Sequence, residues 1–160
     1  MSLTVQSAKI AGVALLFGLL AACGTTKPPA EDGAEVPLTL QQEFATVVGD
    51  RVFFDFDRYE VRPDGMATLQ RQAEFLNGHP ELMVRIEGHA DERGTREYNL
   101  ALGDRRANSV RQALVGLGVD RSRLSTISYG KDRPDCGDSN ESCWARNRRG
   151  VSVLTNAAGS

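Results

Sequence analysis

Apolar side chains recur at two periods along the last three-quarters of the chain, and each change of period marks an element. From Leu38 to Val48, the positions Leu40, Phe44, Val47 and Val48 follow helical spacing, and Gly49 ends the run. Arg51 to Phe56 alternates, with Val52, Phe54 and Phe56 on one face, which predicts a strand. Pro63 opens a helix where its missing N–H costs nothing. Met66, Leu69, Ala73 and Leu76 form its core-facing stripe, and Asn77-Gly78-His79-Pro80 ends it. Leu82, Val84 and Ile86 alternate with Met83, Arg85 and Glu87 in a second strand that runs out near Gly88. After the loop His89–Gly94, Thr95 is the N-cap of a long helix with Glu97 in its first turn, reaching about Leu117. Leu124 to Tyr129 reads as a third strand, Gly130 to Arg146 as a polar loop, and Arg149 to Leu154 as a fourth strand.

This order predicts a two-layer α/β sandwich with the helices on one face of a mixed four-stranded sheet. Its core is β-α-β-α-β-β with an additional N-terminal helix, over residues 38–155, followed by a short tail at 156–160. No internal repeat or second domain is visible.

Residues 1–22 follow a different logic. Lys9 precedes an apolar run, Ile10 to Leu20, that is too short to span a bilayer and suits the core of a signal peptide. The run ends in Leu20-Ala21-Ala22-Cys23, which looks like a lipobox: cleavage before Cys23 and acylation of its thiol. Gly24 follows, where an Asp would commonly retain a lipoprotein at the inner membrane, so the outer membrane is expected. Residues 24–37 are Gly, Thr, Pro, Ala and acid without apolar periodicity, a flexible tether with an r.m.s. reach of about 20 Å.

Three cysteines are an awkward number for an exported protein. Lipid on Cys23 leaves Cys136 and Cys143, which an oxidising periplasm can join. Metal binding by that pair would need nearby co-ligands, and the two histidines, His79 and His89, lie far off in sequence. No metal or cofactor is expected. Removing Lys9 from 19 basic side chains against 21 acidic ones leaves a small negative charge, with no basic stripe to suggest nucleic acid.

The chemistry concentrates in one segment, from Glu87 to Ala107. On a wheel of about 100° per residue with Leu102 at the origin, Val110, Ala113 and Leu117 fall between about 20° and 80°. Arg106 falls near 40°, inside that apolar stripe, and Asn99 lies on the same side. Arg105 points the other way, towards solvent. A guanidinium among core residues needs a carboxylate or a polar ligand. Two explanations stand level on geometry alone: an ion pair of Arg106 with Asp91 or Asp55 that orders the loop, or a ligand site.

The motifs Phe54-Asp55-Phe56-Asp57, Gly88-His89-Ala90-Asp91-Glu92-Arg93-Gly94-Thr95, Glu97-Tyr98-Asn99, Gly103-Asp104-Arg105-Arg106-Ala107-Asn108, Ser128-Tyr129-Gly130-Lys131 and Asn147-Arg148-Arg149 together resemble the OmpA-like peptidoglycan-binding family. The resemblance is strongest to its peptidoglycan-associated lipoprotein branch and covers residues 50–154. It implies a ligand, the diaminopimelate of the peptidoglycan stem peptide. It also implies roles: Asp91 accepts the ammonium, Arg106 holds a carboxylate with its planar fork, and Asp57 contacts the stem peptide beside Phe56. Asn99 orients the loop or bonds the ligand, and Leu102 packs the pocket floor. The Cys136–Cys143 loop departs from the commonest pattern of the family.

The remaining prominent residues receive plainer expectations. His89 makes a loop-positioning hydrogen bond, Gly88, Gly94 and Gly130 supply turn geometry, and Trp144 packs the disulfide loop. Arg148 and Arg149 are solvated or salt-bridged, or they touch peptidoglycan or a protein.

The family implies a tether: lipid in the outer membrane, a linker across the gap, and a periplasmic domain on the wall. It further implies the Tol–Pal system, with the periplasmic propeller protein TolB as partner and a part in outer-membrane constriction at division. A cell-wall enzyme is disfavoured. Adjacent Asp91 and Glu92 diverge rather than flank a bond, an amidase zinc site lacks ligands, and no nucleophile–base set can be named. Motor-stator relatives carry an uncleaved transmembrane helix, for which this sequence has no candidate.

Overall fold

The computed structural model describes residues 38–155; the expected leader, Cys23, the tether and the tail lie outside the described residues. Helix α1 (Leu38–Glu43) continues into a wider π-helical turn, Phe44–Gly49. Strand β1 (Arg51–Phe53), helix α2 (Pro63–Gly78), strand β2 (Met83–His89) and helix α3 (Arg96–Gly116) follow. A 3-10 turn at Arg121–Arg123 leads to β3 (Leu124–Gly130), then α4 (Glu141–Asn147) and β4 (Arg149–Thr155).

The sheet order is β1-β4-β2-β3. The strands β2 and β3, joined through α3, run parallel, and β4 is antiparallel to both β1 and β2. Register places Ile86 opposite Thr126 on one side and Ser152 on the other. The alternation read from the sequence therefore holds: Val84, Ile86 and Leu154 are buried, and their neighbours are half-exposed. Helices α2 and α3 cover the buried face with Leu69, Ala73, Leu76, Ala107, Val110 and Leu114. This is the expected mixed four-stranded α/β sandwich.

Three expectations change. Strand β1 stops at Phe53 because its partner β4 begins at Arg149, directly opposite. Phe54 still donates its N–H to Arg148 O and is buried, but the chain then turns away through Asp57, whose φ of 58° is left-handed. Phe56 is thus 58% exposed rather than in the core. At the N-terminus, Phe44 and Val48 are buried, but Val47 points outward.

The polar loop after β3 contains a helix. Asn140 caps α4 by accepting from Cys143 N at 3.0 Å, and Glu141 occupies the first turn. Cys136 and Cys143 are disulfide-bonded with Cα atoms 5.3 Å apart. Asn147 closes the same loop, accepting from Asp135 N and Cys136 N and donating to Cys136 O.

Gly88 serves a purpose other than a turn. A Cβ there would lie 1.8 Å from Gly103 O, so β2 and α3 touch backbone to backbone. This contact fixes where the helix starts to cross the sheet. Gly94 and Gly130, by contrast, have the positive φ that a turn requires.

Candidate functional site

The loop between β2 and α3 is built by its own ends. Thr95 caps α3, accepting from Tyr98 N at 3.1 Å. Asn99, buried in the first turns of α3, donates back to Arg93 O (2.8 Å) and Thr95 O (3.1 Å). From beyond β3, Lys131 Nζ donates to Gly94 O and Glu92 O. Asn99 is therefore engaged in orienting the loop.

This loop, α3 and the turn after β1 enclose a pocket of about 180 Å³. All six residues expected at the site, Phe56, Asp57, Asp91, Asn99, Leu102 and Arg106, line it. So do Arg93, Gly94 and Tyr98, which the sequence reading did not place at the site. The signal for Tyr98 was available: one turn from Leu102 and beside Asn99, it stands at the pocket end of α3, and its hydroxyl donates to Asp57 Oδ1.

Arg106 is 0% exposed, as its place in the apolar stripe demands. Of the two alternatives left open for it, an ion pair with Asp91 or Asp55 is not formed among the described residues. Nε donates to Arg58 O (2.8 Å), Nη1 to His89 O (2.8 Å) and Nη2 to Asp55 O (3.1 Å), all main-chain carbonyls. The Phe54 ring lies 5.2 Å from the guanidinium carbon. Three of about five N–H donors are thus satisfied by neutral groups, which leaves the charge uncompensated within ion-pair contact among the described residues. Burial lowers its pKa to about 10, with Asp91 acting in the opposite direction, so it remains a cation at neutral pH.

Asp91 is paired elsewhere. Arg93 Nη2 donates to Oδ2 at 2.6 Å, and the buried Arg148 approaches the same oxygen at 3.4 Å. Burial alone would raise its pKa, but the Arg93 and Arg148 hydrogen bonds outweigh that and hold it below the usual carboxylate value. Arg148 also donates to Phe54 O and to Glu141 Oε1 at 2.6 Å. Arg149 is buried too, against Asn147 O and Arg133 O. Neither arginine is solvated: Arg148 is a salt-bridged strut behind the pocket, and Arg149 sits away from it.

His89 reverses its expectation. Its carbonyl, not its ring, positions the loop by accepting from Arg106, and among the described residues neither ring nitrogen has a hydrogen-bond partner. Burial, then the nearby Arg149 cation, pushes the imidazole down to about 4; the Arg133 backbone opposes this but is too loosely placed to form a hydrogen bond. Trp144 also differs from expectation. Its ring faces the Arg93 guanidinium at 4.1 Å, and its Nε1 donates to Glu92 Oε1.

Chemically, the pocket offers a buried cation with spare donors, a carboxylate beside it, a second acid at Asp57, and apolar walls from Leu102 and Phe56. That suits a small ligand bearing both anionic and cationic groups. Among the described residues, no group of three His, Cys, Asp or Glu side chains is placed to hold a metal, and no helix is long and apolar enough to cross a membrane.

Comparison with known proteins gives consistent neighbours. The OmpA family model matches residues 53–148. The chain is 48% identical over 164 aligned residues to the peptidoglycan-associated lipoprotein of Mesorhizobium japonicum, covering 98% of this chain and 96% of that protein. To the peptidoglycan-associated lipoprotein of Agrobacterium fabrum it is 55% identical over 117 residues, covering 73% and 66%. The crystal structure of the peptidoglycan-associated lipoprotein from Burkholderia pseudomallei matches with a TM-score of 0.68 at 41% identity, over 72% of this chain and 99% of that one. The periplasmic domain of Helicobacter pylori MotB shares the fold, with a TM-score of 0.59 at 23% identity over 67% of this chain and 69% of that one.

Proposed function

The chain belongs to the OmpA family and, within it, to the peptidoglycan-associated lipoproteins, and on that premise we propose that it grips peptidoglycan non-covalently through the Arg106 pocket. The observation that carries this reading is the buried guanidinium itself. Held by carbonyls from Arg58, His89 and Asp55, it lines an open pocket and has no carboxylate partner among the described residues. A carboxylate of the diaminopimelate stem would supply that partner in a partly dry site, where a charge-assisted two-pronged bond is strongest. Asp91 takes the ammonium of the same ligand, Asp57 contacts the stem peptide, and Phe56 and Leu102 cover its aliphatic part.

In this reading the domain is a binding module and not an enzyme. Acylated Cys23 anchors the chain in the outer membrane, and residues 24–37 span the distance to the wall from the periplasmic side. Several acyl chains suffice for stable anchoring where one does not. By family likeness the protein works in the Tol–Pal system with TolB, supporting envelope integrity and constriction during division.

Co-sedimentation of the full chain, held in detergent, with purified peptidoglycan tests the site. Wild type pellets with the wall, and Asp91→Ala stays in the supernatant while its thermal unfolding remains cooperative. Undiminished pelleting of a folded Asp91→Ala variant would remove Asp91 from the site. Release of muropeptides from the wall by the wild type would overturn the non-enzymatic reading.

A further inference from the structure

Arg93 occupies the carboxylate that the proposed ligand needs. Asp91 Oδ1 accepts from Arg93 N and Arg93 Nε, each at 3.1 Å. Its Oδ2 accepts from Arg93 Nη2 at 2.6 Å and Arg148 Nη1 at 3.4 Å. A carboxylate accepts in about four directions, so an incoming ammonium finds none open.

The two arginines are not equally held. Arg148 is buried and tied to Phe54 O and Glu141. The Arg93 side chain is 31% exposed and lines the pocket. Its guanidinium is sandwiched between the Phe56 ring, 4.0 Å away, and the Trp144 ring, 4.1 Å away. Glu141 Oε2 lies 3.9 Å from Arg93 Nη1. The exchangeable partner of Asp91 is therefore Arg93. Its aromatic slot, half of which comes from the disulfide-held helix α4, lets the planar cation shift without leaving the site.

We infer that Arg93 is a specificity-determining residue: it yields Asp91 only to a ligand whose ammonium comes with a carboxylate that can take up the displaced guanidinium. The inference rests on the reading of this pocket as the diaminopimelate site, and it adds the basis on which the pocket discriminates. A bare amine entering here would meet Arg93, Arg106 and Arg148 and bring nothing to offset them, a repulsive element of the kind that sharpens selectivity. An amino-acid centre brings its own anion.

Trp144 is the only tryptophan of the chain, so the native protein reports on the stack. The full chain in detergent is titrated with diaminopimelate and with 1,5-diaminopentane, which has the same amines on the same spacer without carboxylates. Diaminopimelate shifts Trp144 emission saturably, and 1,5-diaminopentane leaves it unchanged. Calorimetry of Arg93→Gln shows the affinity ratio of the two ligands falling about tenfold, the worth of one charge-assisted contact. Arg93→Lys, which keeps the charge but loses the flat fork, falls between. If diaminopimelate binds without moving the emission, or the ratio in Arg93→Gln equals that of wild type, Arg93 does not set specificity and the pocket reading survives. If diaminopimelate does not bind wild type at all, both readings fall.

Discussion

Arg106 has two duties that substitution separates only partly. Its guanidinium ties together the turn after β1 and the end of β2 through three carbonyls, and it presents its remaining donors to the pocket. Arg106→Ala would leave those carbonyls unpaired beside a cavity, and is expected to cost about 3 kcal/mol or more in urea unfolding, at roughly 1–3 kcal/mol for each buried acceptor left unsatisfied. A loss below about 1 kcal/mol would mean that the carbonyl contacts contribute little. His89 gives a second residue-level prediction. Its folded pKa of about 4 lies below the ordinary 6.5, so the unfolded chain takes up the proton first. Stability therefore falls as pH drops from 6.5 towards 4, by up to about 3 kcal/mol, and His89→Gln flattens that dependence. An unchanged slope of melting temperature against pH in the variant would refute the assignment. The burial of Arg106 was legible in the sequence because helical phase is a local property. Its partners were not, since they are carbonyls of Asp55, Arg58 and His89, and a main-chain acceptor leaves no mark in side-chain identity. The pairing of Asp91 with Arg93 is between side chains two residues apart, and it was hidden behind the more obvious long-range pair with Arg106.

At the scale of elements, two devices set the site's shape: the Gly88–Gly103 contact and the disulfide-held α4. Gly88→Ala places a methyl into the Gly103 carbonyl and should prevent α3 from seating, giving insoluble or unfolded protein. Soluble, cooperatively melting Gly88→Ala protein would contradict the close approach. Reducing Cys136–Cys143 removes a short loop closure worth about 2–3 kcal/mol. It should also loosen Trp144 from Arg93, seen as a change in Trp144 emission before global unfolding. Emission that changes only together with global unfolding would place α4 under no control from the disulfide. The long helices and three of the strands were legible because each shows one sustained period. Helix α4 was not: it is seven residues long, and only Cys143 and Asn147 are buried, so no apolar stripe announces it. Asn140 followed by Glu141 was the one capping signal available. The early end of β1 was equally hidden, because a strand ends where its partner does, and that partner lies about a hundred residues away.

For the whole molecule, alternating elements imply a mixed sheet covered by helices, and that much was legible. The order β1-β4-β2-β3 was not, since periodicity tells which face a residue takes but not which strand lies beside it. The order matters for function. It brings the ends of β1 and β2 and the start of β4 to one end of the sheet, so that the turn with Phe56 and Asp57, the loop with Asp91 and Arg93, and Arg148 meet around α3. On the proposed reading the Arg106 pocket takes a small zwitterion and not a polymer surface, so its grip should be reversible by that zwitterion alone. The direct test is to bind the full chain to purified peptidoglycan and add free diaminopimelate. Saturable release of the protein into the supernatant, with 1,5-diaminopentane releasing none at the same concentration, is the predicted result. Protein that stays on the wall at every diaminopimelate concentration, yet is released by salt, would show a general electrostatic attachment and contradict the account.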